Sequence, residues 1–497
     1  MLLPDALMLY AGLFVGHRIC FDTWLLPQPT EWSATIYIVL GVYGVMLVAS
    51  GAYRRPPSQM DVSEFASMGL YLVGAWALSV TVTYIVHPSN LPPRTMMTVH
   101  GLVVLVGVLG SRAVLNQLFM SLAYTSDDNA VTPGSRCSVR LEDLVSRNPV
   151  DIDDSALRDF LSDRTVLVTG AGGSIGSELC DQLLRLNPFR LVLVDVSEHN
   201  LYQLERALRG RSYDGDLEFC IADVRDETVM NGLMRREQPD VVFHTAAYKH
   251  VPLMERHPAE AFRNNTMATV HLLRLCERHD VEEFVFVSTD KAVEPTSVLG
   301  ATKQQAEWYV RTAPPSMNTT IVRFGNVFGS QGSVVPRFEE KLAAGEPVPI
   351  THPDMERYFM SAPEAARLLL QTLLLDAYST YILKMGEPIR IEWLAERLIE
   401  RRYPDVDPKS MIEYVGRRPG EKLSERLSDA EESIHSTSHP RILGLDGSIP
   451  HDRSELEGHF QHLQTLCDPD HGSQEHLRKV LLNAEATTAS SSSPIEY

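Results

Sequence analysis

The sequence predicts an α/β protein, in which an N-terminal module of about four transmembrane helices is followed by a doubly wound parallel sheet. Two observations indicate this fold class. Short β-branched segments alternate with amphipathic segments between residues 165 and 384, and this alternation is typical of a parallel sheet covered on both faces. Residues 1–118 contain apolar runs with few charges, each about as long as the ~20 residues that cross a bilayer.

The membrane prediction rests on three apolar runs, 33–53, 65–87 and 96–118, and on a weaker segment over 2–26. A buried core helix is the alternative for any one run, but three successive runs favour membrane spans. Basic residues follow the second and fourth spans, which favours a cytoplasmic N terminus. We therefore expect a multi-pass protein of the inner (cytoplasmic) membrane, with its large C-terminal part in the cytoplasm.

Charge and cysteine content exclude two kinds of site. The formal net charge is −19, which argues against a nucleic-acid-binding protein. The six cysteines have neither CxxC spacing nor histidine-rich surroundings, so no metal site is expected. Reduced, buried cysteines in a cytosolic compartment are the simpler interpretation.

A glycine-rich turn follows the first predicted strand, Thr165–Thr169, and leads into a helix that begins at Ser174. Gly170, Gly173 and Gly176 have three-residue spacing, which is typical of a Rossmann-type dinucleotide turn. Glycines let the backbone approach a pyrophosphate, which then lies at the helix N-terminus. The turn alone leaves two alternatives open, a nucleotide site and a glycine-rich turn without a ligand.

An acid at the end of the second predicted strand favours the nucleotide site. Asp195 lies 19 residues beyond Gly176, close to the ~20 at which a carboxylate meets the adenosine ribose. A carboxylate there accepts from a free 2′-hydroxyl and repels a 2′-phosphate. The expected cofactor is therefore NAD, with NADP disfavoured.

The remaining elements are predicted from periodicity. Further strands are expected at 190–195, 217–221, 240–246, 283–288, 319–324 and 380–384. Further helices are expected at 198–209, 227–237, 259–279, 300–312, 334–345, 452–466 and 473–483.

Polar residues follow the predicted strands, at the edge where doubly wound sheets bind ligands. Asp223 and Val224 follow the third strand, and helix capping is the alternative role for this acid. After the fourth strand come Ala246, Ala247, Tyr248 and Lys249. The run Ser288–Lys291 after the fifth strand is too polar to be explained by a turn alone.

These residues resemble a known family. The motifs VTGAGGSIGSEL, PDVVFHTAAYKHVPLME, FVSTDKAVEPTSVLGATK, VRFGNVFGSQGSVVPRF, THPDMERYFM, MGEPIRI and RRPGEKLSE occur in order between about residues 168 and 425. They are similar to the extended short-chain dehydrogenase/reductases, and more narrowly to the membrane-anchored CapD-like UDP-N-acetylglucosamine 4,6-dehydratases of capsule and O-antigen biosynthesis.

The resemblance implies a UDP-sugar substrate and an internal redox cycle. A hydride would leave C4 of the sugar, water would be lost across C5–C6, and the hydride would return to C6. By resemblance, Thr289 hydrogen-bonds the C4 oxygen, Asp290 is the acid for the C6 hydroxyl, and Lys291 is the base for the C5 proton. Lys303 is expected to hold the nicotinamide ribose.

The resemblance also divides the site between cofactor and substrate. The expected cofactor-binding residues are Gly170, Gly173, Ser174, Ile175, Gly176, Asp195, Asp223, Val224, Ala246, Ala247, Tyr248 and Lys303. The expected substrate-binding residues are Lys249, Asn326, Arg357, Arg418 and Glu421. Arginine suits a diphosphate because its planar guanidinium group can donate two parallel hydrogen bonds. In isolation, each of these residues would be interpreted as a surface residue.

The chain departs from the family pattern at two places. Only residues 119–162 separate the last predicted span from the predicted NAD-binding domain, whereas large family members usually carry a second Rossmann-like domain there. In VLGATK, Leu299 occupies the position at which extended dehydrogenases have their tyrosine, and leucine cannot exchange a proton. The base for the C4 hydroxyl is thus unassigned, with Tyr248 or water as alternatives.

We therefore predict four regions. They are membrane helices over 1–118, a connector over 119–162, an NAD-binding domain with a small C-terminal substrate-binding lobe over 163–430, and a polar extension over 431–497 whose end is disordered. The alternatives to a dehydratase are a UDP-sugar 4-epimerase and a catalytically inactive NAD-binding scaffold at the membrane. The oligomeric state is left open, with a homo-oligomer as one alternative.

Overall fold

The computed structural model describes residues 42–43, 62–86, 104, 150–211, 213, 215–447, 451–468 and 473–483. The chain divides into two compact units, Met1–Ala130 and Val131–Tyr497. The connector before residue 150 and the tail beyond residue 483 lie outside the described residues.

The first unit contains one described helix, α1 (Val62–Val86), at the position of the predicted span 65–87. The other apolar runs lie outside the described residues, apart from Val42, Tyr43 and Val104. In the part of the chain that the structure describes, no helix is both long and apolar enough to cross a membrane. For these residues the transmembrane part of the predicted fold class is wrong, and the fold class is corrected to an α/β protein with a Rossmann-type sheet. The length and apolar composition of a run in the sequence do not by themselves establish a membrane-spanning helix.

The second unit is built on a parallel sheet. The described strands are β1 (Thr165–Thr169), β2 (Arg190–Asp195), β3 (Asp216–Ile221), β4 (Val241–His244), β5 (Glu283–Val287), β6 (Asn318–Arg323), β7 (Asn326–Val327), β8 (Val348–Ile350), β9 (Glu356–Arg357), β10 (Phe359–Met360), β11 (Thr380–Leu383), β12 (Ile389–Arg390), β13 (Ile412–Tyr414), β14 (Ser433–Ser436) and β15 (Ile442–Asp446). Nine of these strands form one sheet in the order β14-β15-β11-β6-β5-β4-β1-β2-β3. From β3 to β11 every neighbouring pair is parallel.

Helices cover both faces of this sheet, and two more belong to the smaller lobe described below. They are α2 (Asp154–Leu161), α3 (Ser174–Leu186), α4 (Glu198–Leu208), α5 (Glu227–Glu237), α6 (Val251–Arg256), α7 (Pro258–Ala261), α8 (Ala268–Arg278), α9 (Val298–Arg311), α10 (Val334–Ala343), α11 (Ala362–Gln371), α12 (Ile391–Arg402), α13 (Arg453–Leu466) and α14 (Gln474–Leu482). Two large apolar clusters pack among these helices and strands, one containing Phe284 and Phe460 and the other containing Leu179 and Tyr381. The alternation predicted from the sequence is confirmed.

Strand β1 lies at the centre because its side chains are apolar or β-branched and can be buried on both faces. All five of its residues are buried, as expected for a parallel strand between two layers of helices. Its register pairs Thr165 with Arg190 of β2 and Thr169 with His244 of β4. The strand order reverses direction between β1 and β4, and sheets of this kind bind ligands at such a point.

The helix predicted over 259–279 is divided into α7, a π-helical segment (Phe262–Met267) and α8. The π-helical segment brings Asn265, which is 1% exposed, against the loop after β4. π-Helical turns inside helices are frequent at functional sites.

A smaller lobe follows β6. It contains three two-stranded pairs, β7 with β10, β8 with β13, and β9 with β12. Helices α10 and α12 pack on them around Phe338, Leu394 and Leu398, which form a third apolar cluster.

The residues after 430 are integrated into the second unit. Strand β15 runs antiparallel to β11, and β14 runs antiparallel to β15, so this region extends the main sheet. The two helices predicted at 452–466 and 473–483 correspond to α13 and α14, and their apolar residues join the cluster around α8 and α9. The predicted domain boundaries stay predictions.

Candidate active site

The glycine turn after β1 has the close packing that a dinucleotide site requires. Gly170 has a φ of 66°, and a Cβ there would lie 2.7 Å from the backbone of Ala246. A Cβ on Gly176 would lie 2.1 Å from the Gly170 carbonyl oxygen. Larger residues at these positions would therefore displace backbone and open the turn.

Helix α3 begins directly after this turn, and its first turn is suited to an anion. Its N-cap residue is Gly173, and no side chain caps the helix. Because the first N–H groups of a helix lack partners within the helix, they attract phosphate. Ser174, Ile175 and Gly176 form this first turn, so the residues present fit the pyrophosphate of a dinucleotide.

Asp195 lies beside the turn at the end of β2 and is buried. Its Oδ2 accepts a 2.9 Å hydrogen bond from the Gly172 N–H, and its Oδ1 accepts a 2.8 Å hydrogen bond from the Ser197 N–H. These bonds hold the carboxylate in place, and each oxygen retains a lone pair that can accept from a ribose hydroxyl.

The residues predicted to bind the cofactor at the ends of β3 and β4 differ in their burial and in their hydrogen-bond partners. Asp223 is paired with Arg225 at 2.7 Å, and the hydrogen bonds from Arg225 lower the pKa of Asp223. Val224 is buried, whereas Ala247 and Tyr248 are exposed, with Ala246 between these extremes. The Tyr248 backbone exchanges two hydrogen bonds with the Asn265 side chain, 2.8 Å and 3.1 Å long.

Thr289, Asp290 and Lys291 form a connected cluster after β5. The Asp290 side chain is 0% exposed, and its Oδ1 accepts from the Thr289 hydroxyl and from the Lys291 ammonium, both at 2.9 Å. Lys291 also donates to Asn326 Oδ1 at 3.0 Å. The structure therefore brings together four residues that the sequence placed at two strand ends.

Asp290 Oδ2 is buried and has no hydrogen-bond partner in the structure. Gly325 makes room for it, since a Cβ there would lie 2.8 Å from this oxygen and 3.0 Å from the Cβ of Tyr358. Buried polar atoms are normally hydrogen-bonded, and an orphaned one calls for a specific explanation. An oxygen held ready for a substrate group is such an explanation.

Helix α9 carries Leu299, which replaces the tyrosine of the family pattern, and Lys303, which matches its lysine. Leu299 is buried in the apolar cluster, and its aliphatic side chain has no group that can exchange a proton. Lys303 is 4% exposed, donates to the Val287 carbonyl at 2.7 Å, and has its ammonium 3.7 Å from the centre of the Phe286 ring. Burial lowers the pKa of Lys303 to about 7.

His244 lies near Lys303 and is fully buried. Its ring nitrogens lie 2.7 Å from Thr169 Oγ1 and 3.0 Å from Thr269 Oγ1. Burial, reinforced by Lys303, lowers the pKa of His244 to about 3, so the imidazole is neutral near pH 7.

The predicted substrate residues lie on two loops, one with Lys249 and one with Arg418 and Glu421, and in the short strands β7 and β9. Arg418 and Glu421 lie on one loop, where the Arg418 N–H donates to Glu421 Oε2 at 3.3 Å. Arg357 is buried and donates to the carbonyls of residues 356, 422 and 423, so it supports that same loop. Lys249 is exposed to solvent on one side, and the protein that surrounds the rest of the residue lowers the pKa of its amine. Their roles toward a substrate stay predictions.

A buried ion network behind the cluster was missed by the sequence analysis. Glu307 accepts from Arg323 at 2.6 Å and from the Ser288 hydroxyl, while Arg323 also pairs with Glu432 at 2.6 Å. All three charged side chains are at most 5% exposed. The signal was an arginine within the otherwise apolar strand segment IVRF, because a charge in a buried strand requires a buried partner.

Comparison with known proteins supports the resemblance drawn from the motifs. A family model described as "Polysaccharide biosynthesis protein" matches residues 166–446. The capsular polysaccharide biosynthesis protein CapD of Staphylococcus aureus is 43% identical over 306 residues, which are 60% of this chain and 50% of that protein. The probable polysaccharide biosynthesis protein EpsC of Bacillus subtilis (strain 168) is 41% identical over 327 residues, 64% of this chain and 54% of that protein. The chain thus spans about half the length of these curated relatives.

A solved structure is similar as well. The X-ray structure of Pen from Bacillus thuringiensis superposes with a TM-score of 0.54 at 29% identity, covering 65% of this chain and 99% of that one. The family match includes the glycine turn, the Asp290–Lys291 cluster and the loop with Arg418. The chain belongs to the polysaccharide biosynthesis protein family, as a CapD-like member with the extended short-chain dehydrogenase/reductase fold.

Proposed function

We propose that this protein is an NAD-dependent UDP-N-acetylglucosamine 4,6-dehydratase that supplies a modified sugar nucleotide for capsule or O-antigen polysaccharide biosynthesis. The observation that carries the proposal is the Asp290–Lys291 pair, in which a buried carboxylate and an amine are 2.9 Å apart. Loss of water across C5–C6 requires one acid and one base at neighbouring carbons, and this pair offers both.

The cofactor follows from the turn and from Asp195. The first turn of α3 would hold the pyrophosphate, Asp195 would accept from the adenosine ribose, and Lys303 would contact the nicotinamide ribose. When bound, NAD would supply the site with a hydride acceptor and donor. The carboxylate of Asp195 disfavours the 2′-phosphate of NADP.

The residues after β5 would each perform one task. Oxidation at C4 also releases the C4 hydroxyl proton, for which Tyr248 or water would be the acceptor, and Thr289 would donate a hydrogen bond to the C4 oxygen. Lys291 would remove the C5 proton, and Asp290 would protonate the departing C6 hydroxyl. Elimination would use a neutral Lys291 amine and a protonated Asp290, whose side chains lie 2.9 Å apart.

The remaining donors suit the UDP end of the substrate. Arg418 would donate to the diphosphate, with Lys249 as a second cation, and Glu421 would accept from the uridine ribose. Asn326 contacts Lys291 directly, so it would orient the amine toward C5.

A 4-epimerase is the competing function. Both functions begin with oxidation at C4, so the buried Leu299 at the tyrosine position does not separate them. Epimerisation at C4 has no use for an acid–base pair such as Asp290–Lys291, whereas elimination across C5–C6 needs one. The dehydratase is therefore the better supported proposal.

The test is incubation of the full chain with UDP-N-acetylglucosamine, followed by mass spectrometry of the sugar nucleotide. The expected product has lost one water. An isomer of unchanged mass would overturn the proposal in favour of an epimerase, and unaltered substrate in the presence of bound NAD would favour an inactive scaffold.

A further inference from the structure

Glu255 joins three parts of the second unit that are distant in sequence. It lies in α6, just after the loop that follows β4, and its side chain is 8% exposed. Its Oε1 accepts from the Val298 N–H at 2.7 Å, and its Oε2 accepts from Arg478 Nε of α14 at 2.6 Å. One buried carboxylate therefore bonds to two of these parts, and the third passes over it.

The first of these elements is the start of α9. The first N–H groups of a helix have no partner within the helix, and α9 satisfies two of them with side chains. Ser297 Oγ accepts from the Gly300 N–H at 3.1 Å, and Glu255 accepts from the Val298 N–H. A carboxylate at a helix N-terminus is also favoured by the helix dipole. Glu255 thus adds a second side-chain acceptor at the start of α9, beside the N-cap Ser297, and α9 carries Lys303.

The second is the loop with Arg418 and Glu421, which passes over Glu255. Gly420 on this loop has a φ of 79°, and a Cβ there would lie 3.0 Å from Glu255 Oε1 and 2.9 Å from the Cβ of Ser297. Lys422 also donates to the Val293 carbonyl at 2.7 Å, which ties this loop to the segment that follows Lys291.

The third is α14, which reaches this point from the C-terminal region. Leu477 and Leu481 are buried, and the Leu481 carbonyl accepts from Gln305 of α9 at 3.2 Å. The helix is therefore anchored by apolar contacts, and Arg478 is its charged contact with Glu255. The family match ends at residue 446, so α14 lies beyond it.

We infer that Glu255 and Arg478 are positioning residues that hold the Thr289–Lys291 segment and the Arg418–Glu421 loop in the mutual geometry that a UDP-sugar requires. This inference rests on the proposed function, because it concerns the same site. An ion pair with both oxygens hydrogen-bonded is rigid, and a displacement of about 1 Å in a catalytic group can cost about 10²-fold in rate. The C-terminal helix is thereby part of the apparatus that orders the substrate site.

The variants separate the two bonds. R478M removes the ion pair and leaves the Val298 bond intact, E255Q keeps a neutral acceptor for Val298, and E255A removes both bonds. K479M is the matched control, since Lys479 lies on the same helix in an exposed pair with Glu475, and such pairs contribute little.

We expect R478M to raise the KM for UDP-N-acetylglucosamine and the Kd for UDP by about 10-fold, and to lower kcat as well, with bound NAD unchanged. R478K should recover part of the loss, and E255A should exceed R478M. A purely structural role would lower the melting temperature without changing KM or the Kd for UDP.

Isothermal titration with UDP keeps the inference distinguishable from the proposed function. If the wild-type protein turns over substrate and R478M matches K479M in KM, kcat and Kd, the inference is overturned while the function stands. If the wild-type protein gives no product but R478M still loses UDP affinity, the proposed function is overturned while the inference stands. Should E255A fail to fold, R478M and E255Q decide the result.

Discussion

Replacing Lys291 with methionine tests the stability and the chemistry of the Asp290–Lys291 pair together. Methionine keeps an unbranched side chain but removes the ammonium that lies 2.9 Å from Asp290. The Asp290 side chain is 0% exposed, and only the Thr289 hydroxyl, at 2.9 Å, then remains on its Oδ1. A buried carboxylate that loses its ionic partner costs about 3–5 kcal/mol, so we expect the free energy of unfolding of K291M to fall by about this amount at neutral pH.

The double variant D290N/K291M separates the two effects. Neither charge remains, so most of the lost free energy of unfolding should be recovered, because a buried pair is far less costly to replace than to break. Elimination should not recover, since base and acid are both absent. Each group contributes about 10²–10⁴-fold to such a step.

Two assays decide the result. Guanidinium unfolding gives the free energies, and mass spectrometry of the sugar nucleotide gives the loss of water. K341M is the control, because Lys341 pairs with Glu346 on an exposed surface and should change the free energy of unfolding by less than about 0.5 kcal/mol. The reasoning is refuted if K291M is as stable as the wild type, if the double variant is as unstable as K291M, or if either variant still eliminates water.

Two further predictions concern the cofactor turn and Lys303. G176A places a Cβ 2.1 Å from the Gly170 carbonyl oxygen and should abolish NAD binding. The control G232A in α5, where a Cβ would have no atom within 4 Å, should bind NAD normally. Equal NAD affinities of the two variants in calorimetry would contradict this prediction. The pKa of Lys303 falls from 10.5 to about 7 on folding, so between these values the unfolded chain carries the proton and the folded chain does not. The free energy of unfolding of the wild type should therefore rise with pH across this window relative to K303M, by up to ~1.4 kcal/mol per pH unit, and a constant difference between pH 7 and 10 would show that Lys303 stays charged.

Much of the sheet was predictable because its pattern is local. The bounds of β1 and β2 agree with the predicted strands, since an uninterrupted β-branched or apolar run between turn residues has few other stable conformations. The positions of Asp195 and Asp290 at strand ends followed from the same pattern, because parallel strands present their carboxyl ends at one edge.

Predictions were weaker where burial could be satisfied in more than one way. The apolar run that became α1 predicted a membrane span, although in the described residues no helix is long and apolar enough to cross a membrane. No strand was predicted in the polar segment after 430, but β15 pairs with β11 through main-chain hydrogen bonds that do not depend on side-chain pattern.

The sequence by itself determined the α/β alternation, the glycine turn, and the residue types proposed to bind a nucleotide and a sugar. Only the tertiary structure decided which of those residues touch. Lys291 meets Asn326 across 35 positions, Arg323 meets Glu307 inside a buried network, and Arg478 meets Glu255 across 223 positions. The physical reason is that periodicity reports the backbone conformation and the buried face of one segment, whereas contacts between distant residues depend on which buried faces pack together.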